Sequence, residues 1–126
     1  MGRYFEEIAH QLLRGGGKFD IRSLERGGGS TTKNFTKQDI ICTFSDINDV
    51  IDGLYYRPDN LNYPSFDSIV VPNELYQMTT AVDHPIKMIG LKNSYGVLRK
   101  TGEISYYFVV PAQLYNGFVK QKFVPV

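Results

Sequence analysis

Asp67, Gln77 and Thr79 are the residues whose types and spacing first suggest chemistry. Side chains of a strand alternate faces, so Gln77 and Thr79 project together while Met78 points the other way. A tight hairpin between strands at 66–71 and 75–80 sets Asp67 at a strand start, beside Gln77 across the ladder. Asp67 then offers a carboxylate oxygen, Gln77 an amide oxygen and the Met78 backbone a carbonyl, a set that can hold a hard cation. Mg²⁺ accepts few protein ligands of this kind and keeps several waters. One such water, its pKa lowered, can attack a phosphodiester. The same spacing also suits an ordinary turn or hydrogen-bonding acid.

The first helix supplies a second acid. Phe5, Ile8, Ala9, Leu12 and Leu13 recur at three- and four-residue steps, which predicts one apolar stripe on an amphipathic helix. Glu6 falls on the border of that stripe and Glu7 nearly opposite, so only Glu6 can lean from a packed helix towards a site on the sheet. The competing reading is an exposed acid near a helix N-terminus. Lys87 and His84 follow the second strand. A lysine near the phosphate stabilises developing negative charge, and a histidine titrates near neutrality. Both also suit a solvated turn beside Pro85. His10 lies past the edge of the stripe, where partial burial or solvation accounts for it.

The elements that must position these residues are legible in part. Half of the twelve glycines sit in two triplets, 15–17 and 27–29, and stretches 15–17 and 27–32 are expected as flexible glycine-rich loops bracketing a short strand in 18–26. Neither triplet carries the Lys-Ser/Thr pair of a P-loop, and Gly-Gly-Gly-Ser at 27–30 even suits an engineered linker. An apolar run follows at 38–44, then a short turn or helix at 48–54, and turn formers interleaved with aromatics at 55–65. Pro72-Asn73-Glu74 turns the hairpin. A helical segment to about Arg99, a strand at 104–110 and a helix starting at Pro111 complete a small α/β domain spanning 1–126.

The chain has 126 residues, one cysteine (Cys42) and a net charge of +1. That size suits one domain, and a lone cysteine excludes an internal disulfide. No apolar run is long enough to span a membrane. Residues 1–7 lack the apolar stretch of a secretory signal, so secretion requires a leader outside this chain. The charge total hides a segregation: residues 1–37 carry +3, residues 38–83 carry −7 with Arg57 their only cation, and residues 84–126 carry +5. The acidic third contains Asp67, and the flanking thirds supply cations suited to a phosphate backbone.

These residues carry a resemblance. Phe5-Glu6-x-x-Ala9-His10-x-x-Leu13, then Gly16-Gly17-x-Phe19-x-x-Arg22-x-Leu24, resembles the opening of the nuclease domain of Crinkler-type effectors of fungi and oomycetes. Tyr55-Tyr56-x-Pro58 with Pro64-Ser65-Phe66-Asp67-Ser68-Ile69 is similar to the segment holding that family's catalytic acid. Leu75-Tyr76-Gln77-Met78-Thr79, His84-Pro85-Ile86-Lys87-x-x-Gly90-Leu91, Tyr107-Phe108-Val109-Val110-Pro111 and Phe118-x-x-Gln121 continue it, from about Arg3 to Phe123. The resemblance implies an α/β restriction-endonuclease-like fold of the PD-(D/E)XK type, shared with retrotransposon hot-spot proteins, in which a small mixed sheet is flanked by helices. It implies a secreted effector acting on DNA in a host nucleus with Mg²⁺ or Mn²⁺, and a homodimer is compatible with it.

The resemblance assigns Glu6 to the first core helix, Asp67 to the strand-start acid and Gln77 to the (D/E) position. Gln77 departs from the general motif, and Thr79 stands where a lysine is expected. Lys87 is the candidate replacement. The expected mechanism is in-line attack by a metal-activated water, with Asp67, Gln77 and the Met78 carbonyl positioning the ion, Glu6 assisting and Lys87 facing the phosphate. The missing second acid and lysine support an alternative: a degenerate module that keeps the nuclease fold and binds host DNA or a nuclear protein without turnover.

Overall fold

Phe5, Ala9 and Leu13 lie four residues apart and form the inward line of the first helix, α1 (Gly2–Arg14). The computed structural model describes residues 2–25, 28–98 and 103–124. Ile8 and Leu12, expected inside, are exposed together with Tyr4. The helix carries two adjacent apolar lines at i,i+4 spacing, and the sheet accepts only the one centred on Ala9 and Leu13. That rotation carries His10 into the interior, 3% exposed, and leaves Glu6 at the edge of the packed face, as the wheel predicts.

Two strands follow, β1 (Gly17–Arg22) and β2 (Ser30–Phe35), antiparallel from Gly17↔Phe35 to Arg22↔Ser30. Residues 15–17 and 27–32 are therefore not simply loops. Gly15 closes the helix end through a 2.9 Å bond to the Gln11 carbonyl, Gly17 opens β1, and residues 30–32 pair in β2; residue 27 lies outside the described residues. Gly16, at φ +81°, meets the Lys37 backbone so closely that a Cβ would stand 2.8 Å from its nitrogen. The hairpin is tied down by Phe35, whose ring packs edge-on against Phe19 at 5.3 Å and tilted on Tyr76 at 5.7 Å.

The central sheet contains β3 (Cys42–Phe44), β4 (Tyr56–Pro58), β5 (Ser68–Val70), β6 (Glu74–Met78) and β8 (Ser105–Val109), ordered β3-β4-β5-β6-β8. The two outer pairs are parallel and the two inner pairs antiparallel, so the fold is mixed α/β. Of the apolar run at 38–44 only the last three residues form a strand; Ile40 and Ile41 are exposed. Between β3 and β4, a 3₁₀ turn spans Ile47–Asp49 with Asp46 accepting from the Asn48 N–H. The segment around Tyr56 and Arg57, expected to be turns, supplies β4, ended by Pro58, which cannot extend a ladder.

Beyond β6 come β7 (Ile86–Lys87), α2 (Met88–Asn93), β8, α3 (Ala112–Tyr115) and β9 (Phe123–Val124), with β7 and β9 parallel. The helical segment expected after residues 84–87, to about Arg99, is thus six residues long, preceded by a strand and closed at Ser94; Arg99 lies outside the described residues. Ile69 and Leu75 face each other across the β5–β6 ladder in a cluster with Phe44, Tyr56, Phe66 and Leu98. Tyr76 and Met78, one residue out of phase, join Ala9, Leu13 and Tyr55 beneath α1. Among the described residues no helix is long and apolar enough to cross a membrane.

Candidate active site at the Asp67 strand end

The β5–β6 register is the local device that builds the site. Ser68 pairs with Tyr76, and one residue earlier the Asp67 N–H donates to the Tyr76 carbonyl at 2.7 Å. Asp67 therefore stands across from Gln77, as the spacing predicts. Its Oδ2 accepts from Gln77 Nε2 and from the Met78 N–H, both at 2.8 Å. Met78 points away into the cluster beneath α1, as alternation requires.

Glu6 reaches the same carboxyl from the helix, 61 residues earlier in the chain. The Glu6 and Asp67 carboxyls stand close enough that each shifts the other's titration, lowering Glu6 and raising Asp67. Burial, reinforced by the Glu6 charge, pushes Asp67 up to about 7, against the pull of the Met78 N–H. Glu6 is held below its usual range by the His10 ring beside it, with Arg57 adding to the effect. His10 Nε2 lies 3.6 Å from Glu6 Oε1, and its Nδ1 lies 2.7 Å from the Tyr55 hydroxyl. Two carboxyls whose environments drive their affinities for a proton apart are what acid–base chemistry needs.

The loop before Asp67 is fixed by α2. The Ser65 hydroxyl donates to the Lys87 carbonyl and accepts from the Gly90 N–H at 2.9 Å, with Ser65 at φ 82°. Gly90 packs so tightly there that a Cβ would lie 2.1 Å from the Pro64 carbonyl oxygen. From the other side the Tyr106 hydroxyl donates to the Ser65 carbonyl and, at 3.4 Å, to Gln77 Oε1. Asp67 thus sits on backbone held by a helix, a strand and a neighbouring strand's tyrosine.

Several sequence expectations change at this point. Gln77 turns its amide nitrogen, not its oxygen, towards Asp67, because the oxygen is taken up with Tyr106. Met78 reaches the acid through its N–H. Thr79 is buried and turned to Ala81, with its hydroxyl accepting from the Ala81 N–H at 3.0 Å. Lys87 is exposed on β7, and only its backbone carbonyl touches the loop leading to Asp67. The His84 ring packs edge-on against Phe108 at 6.3 Å, and the His84 backbone N–H donates to Gln121 Oε1 at 2.6 Å. Among the described residues no hydrogen bond or ion pair joins the Lys87 or His84 side chain to either acid.

The cation that does reach the site is Arg57 on β4, which the sequence marked only as the lone base of the acidic third. Its guanidinium grips Glu7 with both forks, Nη2 to Oε1 at 2.6 Å and Nη1 to Oε2 at 3.0 Å. Arg57 also lines, with Glu6, Pro58, Tyr63, Phe66 and Asp67, a cleft of about 10 Å³, room for about one water.

Glu6 and Asp67 offer carboxylate oxygens to a hard cation. One or two carboxylates completed by waters is an ordinary Mg²⁺ set. No cluster of three or more His, Cys, Asp or Glu suited to a metal occurs among the described residues, so any ion there relies on water. No family model, no curated protein and no solved structure matches the chain.

Proposed function

We propose that this domain is a metal-dependent DNA endonuclease of restriction-endonuclease-like fold, hydrolysing phosphodiester bonds at the Glu6–Asp67 pair. The observation that carries the reading is the meeting of a helix acid and a strand-start acid, far apart in sequence, over a β-hairpin whose register places Gln77 beside them. The resemblance to Crinkler-type nuclease domains calls for that convergence from Glu6, Asp67 and Gln77, and for a small mixed sheet flanked by helices.

Glu6 and Asp67 would hold Mg²⁺ or Mn²⁺, whose contribution is to activate water and neutralise charge on phosphate. Gln77 and the Met78 N–H fix one Asp67 oxygen and aim the other towards Glu6. His10 keeps Glu6 charged, so the pair still offers a negative centre when Asp67 carries its proton. The secreted, host-nuclear setting belongs to the same proposal and rests on the resemblance alone.

Nicking of supercoiled plasmid DNA tests it. The wild-type chain nicks with Mg²⁺ and not with EDTA, and Asp67→Ala abolishes the activity. Equal nicking by the variant removes Asp67 from the chemistry. The second reading, a binding module without turnover, is favoured by one specific observation: Thr79 and Lys87 bring no ammonium to the acids. It requires DNA or nuclear-protein binding that survives Asp67→Ala and needs no divalent ion.

A further inference from the structure

We infer that Arg57 is the phosphate-binding residue of this site, and that Glu7 occupies its guanidinium until a phosphodiester backbone displaces it. The substrate class rests on the hydrolase reading; the placement rests on geometry. Arg57 stands between two cavities. On one side is the cleft that it shares with Glu6 and Asp67. On the other is a groove of about 100 Å³, lined by Glu7, His10, Arg14, Cys42, Tyr55 and Arg57 and open between α1 and β3. A backbone running along that groove passes Arg14 and Arg57 before reaching the acid pair.

The pair itself is asymmetric in the way an exchangeable partner requires. The Arg57 side chain is 22% exposed, whereas that of Glu7 is 48% exposed. The guanidinium belongs to a residue of a paired sheet strand, β4. The carboxylate rides on an exposed position of α1. A guanidinium fork binds a carboxylate and a phosphate with the same two-pronged geometry, so Glu7 occupies the place of a phosphate. Arg57 also supplies, at the acids, the positive charge that neither Thr79 nor Lys87 brings. An interfering carboxylate at a half-exposed ion pair contributes little to stability, so its removal acts mainly on ligand access.

Binding of a short fluorescein-labelled DNA duplex in EDTA, followed by anisotropy across a salt series, tests this without turnover. Glu7→Gln tightens binding about three- to tenfold at fixed salt. Arg57→Gln weakens it and lowers the slope of log K against log salt by about one. Arg57→Lys keeps most of the slope and loses part of the affinity, because it retains the charge and not the fork. A structural ion pair predicts the opposite for the surface variant: Glu7→Gln leaves DNA affinity unchanged or lowers it, and that result overturns the inference. An unchanged slope in Arg57→Gln, or no duplex binding by the wild type, does so too. Loss of plasmid nicking with these binding shifts intact overturns the hydrolase reading and leaves Arg57 in its role; unshifted binding with nicking intact does the reverse.

Discussion

The strand end at Asp67 and the segment from His84 to Asn93 lie side by side, yet they differ in how their chemistry is held. At the strand end, Asp67 accepts two N–H donors, is raised by the neighbouring Glu6 charge and rests on a loop clamped by Ser65, Gly90 and Tyr106. In the neighbouring segment the backbone is clamped just as firmly, but Lys87 is exposed. One region fixes functional groups; the other fixes only the backbone that supports them. Side chains held at both ends by hydrogen bonds are pre-organised for transition-state charge, whereas a free lysine must be ordered by its ligand.

The largest effect expected from this contrast is at Asp67. Asp67→Asn keeps an oxygen for the Gln77 and Met78 donors and an N–H for Glu6, so the fold survives while plasmid nicking falls about 10³-fold or more. Wild-type nicking by a folded Asp67→Asn protein erases the distinction between the two regions. Next comes Gly90→Ala. The Pro64 carbonyl cannot yield to a Cβ at 2.1 Å without moving the loop, and a cost of about 3 kcal/mol is expected in denaturant unfolding. A loss below 1 kcal/mol, on the order of ordinary surface changes, shows that the loop is softer than its contacts suggest.

The acid pair also sets the pH dependence of stability. Asp67 keeps its proton in the folded protein up to about 7, whereas the unfolded chain releases it near 3.8. Between these values the folded state binds more protons, so stability falls as pH rises from about 4 to about 7. Glu6, held low, works the other way: its contribution is present above its unfolded value and is lost as pH falls through its folded one. Asp67→Asn flattens the upper part of the profile and gains on the order of 2 kcal/mol at pH 8 relative to wild type, read by urea unfolding across pH. A wild-type profile flat from pH 4 to 7 contradicts the raised Asp67 value. The smallest effect is at Lys87. Lys87→Ala changes nicking by less than about threefold and stability by less than about 0.5 kcal/mol, and a larger loss promotes β7 to part of the chemistry.

How much of this was legible beforehand follows the range of the interactions. Asp67 opposite Gln77 is a short hairpin register, and spacing was enough to find it. Glu6 at the packing border was readable from helical geometry, though the buried line lay on Phe5, Ala9 and Leu13 rather than on Ile8 and Leu12. β2 was hidden because its Gly-Gly-Gly-Ser and Thr-Thr-Lys letters resemble a linker, and only the partner strand and Phe35 make it a strand. β4 was hidden because its pairing with β3 and β5 is nonlocal. The place of Arg57 at the site was hidden for the same reason, although its isolation among eight acids in residues 38–83 was a signal. The Gln77 amide orientation depends on Tyr106, 29 residues away, and no local pattern encodes it.

One measurement bears on the acid pair most directly: the pH titration of the Asp67 side-chain carboxyl by carbon-detected NMR, in wild type and in Glu6→Gln. The wild-type carboxyl titrates near 7, and removal of the neighbouring charge lowers that midpoint by about one unit or more. A midpoint near the ordinary 3.8 in both proteins means that Glu6 and Asp67 do not share a site, and the proposed chemistry loses its foundation.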